Sequence, residues 1–176
     1  MLYCAEIKMS KKFLYIMSVL PWLFATSCNS EEIKPEVDNI LVEKANRKLY
    51  LRKGDEVVRE YSIGLGGNPI GHKQQEGDNR TPEGSYIISG RNPKSSYHLS
   101  LRISYPNEQD KKSAKERGVS PGGDIMIHGY PNKVPSFMAR FLKNRDWTQG
   151  CIAVSDDEIE EIWDLVANNT PIKILP

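Results

Sequence analysis

Two side chains stand out for the chemistry they can do together. His128 closes the apolar run Asp124-Ile125-Met126-Ile127-His128-Gly129, and Cys151 sits in Asp146-Trp147-Thr148-Gln149-Gly150-Cys151-Ile152-Ala153-Val154. Taken singly, each has an ordinary structural role: a strand-end histidine satisfies hydrogen bonds, and a cysteine between Gly and Ile is a small buried hydrophobe. Taken together they are the minimal kit for acyl transfer. The imidazole takes the thiol proton, and the sulfur attacks a carbonyl. Gly150 beside the nucleophile admits substrate and frees backbone N–H groups to stabilise an oxyanion. The same residue types allow a zinc site built from His72, His98, His128 and Cys151, but no HExxH or HxH element supports it. Outside such a site, His72 and His98 read as cleft-lining, exposed or core histidines.

The elements that must position this pair are mostly strands. Ile40–Lys44 and Lys48–Arg52 flank Ala45-Asn46-Arg47 as a hairpin, and Lys53-Gly54-Asp55 turns into a third strand over Val57–Ile63. Further strands are expected at Ser85–Ser89, Leu99–Ser104 and Asp124–Gly129. Helical spacing appears late, with Ile159, Ile162, Trp163 and Val166 at i, i+3, i+4 and i+7. Ser155 and Glu158 form a capping box for that helix, and Asp156 and Asp157 suit its positive end. Pro135–Asn144 is a candidate short helix. The charged run Lys111-Lys112 to Lys115-Glu116-Arg117 reads as a solvated face. With 176 residues the chain has room for one ordinary domain, and a net charge of +1 excludes the basic excess of a nucleic-acid binder.

The first residues read as an address. Met9-Ser10-Lys11-Lys12 precedes the apolar run Phe13–Phe24, which is too short to span a bilayer, and Ala25-Thr26-Ser27 leads to Cys28. This resembles the lipobox of bacterial lipoproteins, with Ala25 in place of the usual Leu. The expectation is a signal peptide over 1–27 starting at Met9, a lipidated Cys28 with a tether to residue 38, and a catalytic domain over 39–176. A plain signal peptide cut near Ser27, or an uncleaved anchor, is the other reading of the same segment. The protein is then exported and lipid-anchored to a membrane, facing the periplasm. With Cys28 acylated, Cys151 is left as an unpaired thiol in an exported chain, which calls for a functional explanation.

Four stretches make a specific resemblance: Asp78-Asn79-Arg80-Thr81-Pro82-Glu83-Gly84-Ser85-Tyr86, Ser104-Tyr105-Pro106-Asn107, Pro121–Gly129 and Thr148-Gln149-Gly150-Cys151. Together they resemble the L,D-transpeptidase family, whose YkuD-like catalytic domain cross-links bacterial peptidoglycan. The resemblance implies a mainly β fold, a sandwich or barrel with one or two peripheral helices. It implies Cys151 as nucleophile, His128 as general base and the Gly129 carbonyl as the group orienting the imidazole, in place of an acidic side chain. Arg80, Tyr130, Trp147, Thr148, Gln149 and Gly150 become substrate-binding candidates. For Arg80 a structural ion pair is an equal reading, and for Trp147 so is packing of the loop. The implied partners are peptidoglycan tetrapeptide stems, with no metal and no cofactor; no nucleic acid is expected, and no protein partner is indicated. The implied reaction attacks the stem at its third residue, releases D-Ala and transfers the acyl group to an amine of a second stem.

The sequence also departs from the family pattern. Gln149 stands where a second histidine is usual, and Ala153 where Asn or Arg is usual two residues beyond the cysteine. The Asp-Trp-Thr-x-Gly-Cys form resembles a branch that includes hydrolases, so a carboxypeptidase or amidase acting on the same stems is the alternative. A non-catalytic wall-binding lipoprotein is a third reading.

Overall fold

The structure, a computed structural model, describes residues 36–139, 141–143 and 145–176. The sequence-predicted signal peptide, Cys28 and most of the tether lie outside these residues. Eight strands and three short helices follow in the order β1 (Asn39–Glu43), β2 (Lys48–Lys53), β3 (Glu56–Ser62), β4 (Gly84–Ser95), β5 (His98–Ile103), α1 (Glu108–Glu116), β6 (Met126–His128), α2 (Ser136–Ala139), β7 (Ile152–Ala153), α3 (Asp156–Leu165) and β8 (Pro171–Leu175).

Period-two alternation sets the inner face. In β1 and β2 every second residue is buried, and the register pairs Ile40 with Leu51 and Val42 with Leu49. The chain's last strand, β8, continues these rows: it lies parallel to β1, with Ile172 beside Ile40 and Ile174 beside Val42, and antiparallel to β4. The full strand order is β3-β2-β1-β8-β4-β5-β6-β7. Residues just after β3 then reach the far edge. Gly64 and Ala153 exchange two backbone hydrogen bonds of 2.8 Å, and Thr148 N–H donates to Leu65 O at 3.1 Å. These bridges bring the sheet round on itself, so the expected mainly β sandwich or barrel is found with its last edge at the cysteine segment.

Helix α3 forms as its spacing predicts. Ser155 Oγ accepts from Glu158 N, the Glu158 carboxylate accepts from Ser155 N, and Ile159 and Ile162 are fully buried. Arg91 of β4 fastens its other end, donating to Trp163 O at 2.6 Å and Val166 O at 2.7 Å with its guanidinium 4.0 Å from the Trp163 ring centroid. The charged run around Lys111 is helical, and Lys111, Lys112, Lys115, Glu116 and Arg117 form its expected solvated face. Asn107 and Asp110 form a reciprocal capping box, and Asp110 and Ala114 point inward while the lysines stay outside. The candidate helix over 135–144 is one turn, α2, followed by turns.

Candidate active site

β6 and β7 run parallel, with Ile127 opposite Ile152 and His128 opposite Ala153. Ile127 and Ile152 are both fully buried on the core side. Alternation therefore turns His128 to the other face, and it turns Cys151, one residue before Ile152, to that same face. A cleft of about 580 Å³ opens there, lined by both residues.

The imidazole is held in one orientation. His128 Nδ1 lies 2.6 Å from Gly129 O; Nδ1–H is the donor, which leaves the Nε2 lone pair free to accept a proton. His128 is 4% exposed, and burial lowers its pKa against the smaller opposing effect of the Gly129 bond, so the neutral base form is favoured. Tyr97 stacks at 4.5 Å between centroids, and Trp147 meets the ring edge-on at 5.7 Å.

Gly129 owes its identity to the neighbouring helix. A Cβ there would stand 2.5 Å from Asp156 Oδ1 and 3.1 Å from both His98 Cβ and Ile159 Cγ2. Asp156 is not free to yield, because Oδ1 accepts the Tyr130 N–H at 2.8 Å. The first turn of α3 is thus packed directly against the carbonyl-bearing residue that orients His128.

Cys151 is half-buried, and its Sγ donates to Asp124 O at 3.4 Å. Burial pushes the thiol pKa up, while the Met126 backbone N–H and the charge of Lys73 favour the thiolate. Asp124 presents that carbonyl from a left-handed conformation (φ +54) that Asp tolerates, with its carboxylate paired to Arg102. Burial thus disfavours charge on both partners.

The loop bearing the cysteine is tied by Thr148. Its Oγ1 accepts from Gly150 N at 3.1 Å and donates to Cys151 O at 2.8 Å. Gly150 has φ +129, and a Cβ there would meet Arg80 O at 2.6 Å, so only glycine fits.

Of the residues expected in the site, Trp147, Thr148 and Gln149 line the cleft with Cys151 and His128. Arg80, Tyr130 and Gly150 do not line it. The Arg80 guanidinium faces His72 O at 3.5 Å, and the Tyr130 side chain is buried away from it. His72 accepts the Glu83 N–H on Nδ1 at 3.0 Å and places Nε2 3.1 Å from Asp110; His98 pairs with Glu160. Among the described residues no three His, Cys, Asp or Glu side chains converge as a metal site would require. Sequence reading missed Lys73, Tyr97 and Ser100, all of which line the cleft. Ser100 pairs with His128 across β5 and β6, yet its buried Oγ has no partner in the protein. No periodicity or motif marks Tyr97 or Ser100. Lys73 carried one faint signal, a lysine five residues before Asp78.

Residues 38–174 match the L,D-transpeptidase catalytic domain, YkuD. The chain belongs to that family. It is 27% identical over 136 residues to YafK of Escherichia coli (strain K12), which carries an L,D-transpeptidase name; the match covers 75% of this chain and 47% of YafK. Among solved structures it resembles the helical cell shape determining protein Pgp2 from Campylobacter jejuni, with a TM-score of 0.60 and 28% identity over 78% of this chain and 47% of that one. Bd1075 of Bdellovibrio bacteriovorus gives 0.55 and 30%, covering 80% of this chain and 48% of its own. An L,D-transpeptidase from Mycobacterium smegmatis, 15% identical with a TM-score of 0.52, shares the fold. The chain thus spans about half the length of YafK, Pgp2 and Bd1075.

Proposed function

We propose that this L,D-transpeptidase-family domain acts on peptidoglycan stem peptides through an acyl-enzyme on Cys151. One observation carries the reading: Cys151 and His128 share a cleft-facing side of β6 and β7, with the imidazole locked by its 2.6 Å contact to Gly129 O. As Cys151 attacks the carbonyl of the third stem residue, its proton moves to His128 Nε2. The Cys151 N–H is the donor assigned to the oxyanion, since Gly150 N–H is already bound to Thr148. Collapse breaks the amide bond, the proton passes to the departing D-Ala amine, and a thioester remains. An amine of a second stem then resolves it, giving a cross-link between third residues.

Hydrolysis is the second reading. Cleft-lining Gln149 stands where the family pattern has a second histidine, so contacts on the acceptor side differ, and with water as acceptor the same thioester is hydrolysed. A role in cell shape, the property named for Pgp2, belongs to the same proposal. So does export with lipid anchoring at Cys28, which rests on the residues before it; radiolabelled palmitate incorporation that disappears in Cys28→Ala tests it.

The deciding experiment incubates the chain with disaccharide-tetrapeptide and follows protein and products by intact mass. A Cys151 thioester with cross-linked dimers supports transpeptidation, and a thioester with only shortened stems supports hydrolysis. Absence of adduct and product from folded protein with a titratable thiol refutes both.

A further inference from the structure

One cationic side chain in the cleft lies outside the thiol–imidazole pair. Lys73 is 3% exposed, and its Nζ donates to Asp78 Oδ1 at 2.8 Å and Gln75 O at 3.1 Å. Asp78 is itself immobile. Oδ1 also accepts from Arg80 N at 3.0 Å, and Oδ2 accepts from Gln74 N at 2.7 Å and Gln75 N at 3.2 Å. Burial alone would push the Asp78 carboxyl up, but Lys73 and these three N–H groups overcome it and hold the group at about 2. The anchor under Lys73 is therefore favoured as a carboxylate.

An ammonium has three donors. Two of Lys73's are taken by Asp78 and Gln75, which leaves one without a partner among the described residues, and Lys73 lines the cleft. Among the described residues Lys73 is the only lysine or arginine on that lining. The acidic groups there are answered locally: Glu76 Oε2 accepts from Ser120 Oγ at 3.0 Å, and Asp124 is paired with Arg102. Among these lining residues, a ligand entering with a carboxylate has one cation to meet. The Lys73 charge also acts on the Cys151 sulfur, so the ammonium lies within electrostatic range of the reacting atom. A terminal residue places its carboxylate about one residue length, roughly 3.5 Å, beyond the scissile amide.

We propose that Lys73, clamped by Asp78, is the specificity-determining receptor for the terminal carboxylate of the departing residue, so that the domain cuts one residue from a chain end and spares internal bonds. This rests on the acyl-enzyme reading above and names the group on its substrate that the site selects.

The test compares disaccharide-tetrapeptide ending in a free D-Ala carboxyl with the same stem ending in a carboxamide. Binding is measured first, by calorimetry on the Cys151→Ala chain, where turnover cannot interfere. The carboxyl stem is expected to bind roughly ten- to a hundredfold tighter, the range for a hydrogen bond to a charged group. Adding Lys73→Gln should abolish that preference by weakening only the carboxyl stem, and Lys73→Arg should retain it. Should Lys73→Gln lower the melting temperature, Lys73→Gln with Asp78→Asn removes both charges together and is read the same way. No preference in Cys151→Ala, preference surviving in the glutamine variants, or equal weakening of both stems overturns the assignment. Turnover by the unaltered chain separates the two readings. Carboxylate preference without thioester falls on acyl transfer alone, thioester without preference falls on Lys73 alone, and binding of neither stem sinks both.

Discussion

Gly129→Ala probes the link between fold and chemistry most directly. The new methyl would sit 2.5 Å from Asp156 Oδ1, about 1 Å inside an ordinary contact, with two further contacts at 3.1 Å. Asp156 cannot swing away cheaply, because it binds the Tyr130 N–H and stands in the first turn of α3. Relief must come from β6 and α3 parting by the better part of 1 Å. Overpacking of this kind costs about 1–3 kcal/mol, and losing the charged hydrogen bond to Tyr130 would add about 1.5–3 kcal/mol. The same shift moves the carbonyl that orients His128, and a 1 Å misplacement at a reacting group costs on the order of 100-fold in rate. Thermal unfolding gives the first quantity. The pH-dependent rate of Cys151 alkylation by iodoacetamide reports the second without assuming a substrate. The expected result is a lower melting temperature together with slower alkylation near neutral pH. Asp156→Ala in the same chain should recover part of the stability, since it removes the atom that the methyl meets first. A Gly129→Ala protein with unchanged melting and unchanged thiol reactivity would refute the packing argument.

Other consequences follow from individual contacts. Burial holds the His128 pKa below its ordinary 6.5, so base function is lost only as pH falls through that lowered value, and the acid limb of a thioester-formation profile should lie below pH 6.5. On the alkaline side, burial raises the Cys151 pKa above 9.0, so direct thiolate alkylation in a His128→Ala chain should keep climbing past pH 9. Lys44 is 2% exposed and donates to Gly71 O, Thr81 O and Glu83 Oε1; Lys44→Met strands these acceptors and should cost about 3–5 kcal/mol by chemical denaturation. Ser155→Ala removes the acceptor for Glu158 N and should cost about 1 kcal/mol, leaving thiol reactivity within a few-fold of the parent.

Much of the positioning framework is local and was readable as such. The first hairpin, the capping box at Ser155 and the inward stripe of α3 depend on residues within one or two turns of each other, where alternation and spacing report directly on burial. Helix α1 escaped because its hydrophobic signal is weak: of its nine residues only Asp110 and Ala114 are buried, so its signature was the Asn107–Asp110 cap and not a stripe. β8 escaped for another reason. Its role as the strand between β1 and β4 depends on partners more than 80 residues away in sequence, and pairing at that separation leaves no local mark.

The pair proposed here to react, the glycine that follows the histidine and the Thr148–Cys151 loop are legible in residue type and order, because a thiol, an imidazole and a backbone carbonyl have few substitutes for the proposed chemistry. Tertiary structure alone decided which other groups face them. It turned Arg80 and Tyr130 away from the cleft and brought in Lys73, Tyr97 and Ser100, from segments 28 or more residues before His128. Strand register sets those neighbours: one residue of slip would exchange the cleft face for the core, and only the closed sheet, with Gly64 bonded to Ala153, specifies it.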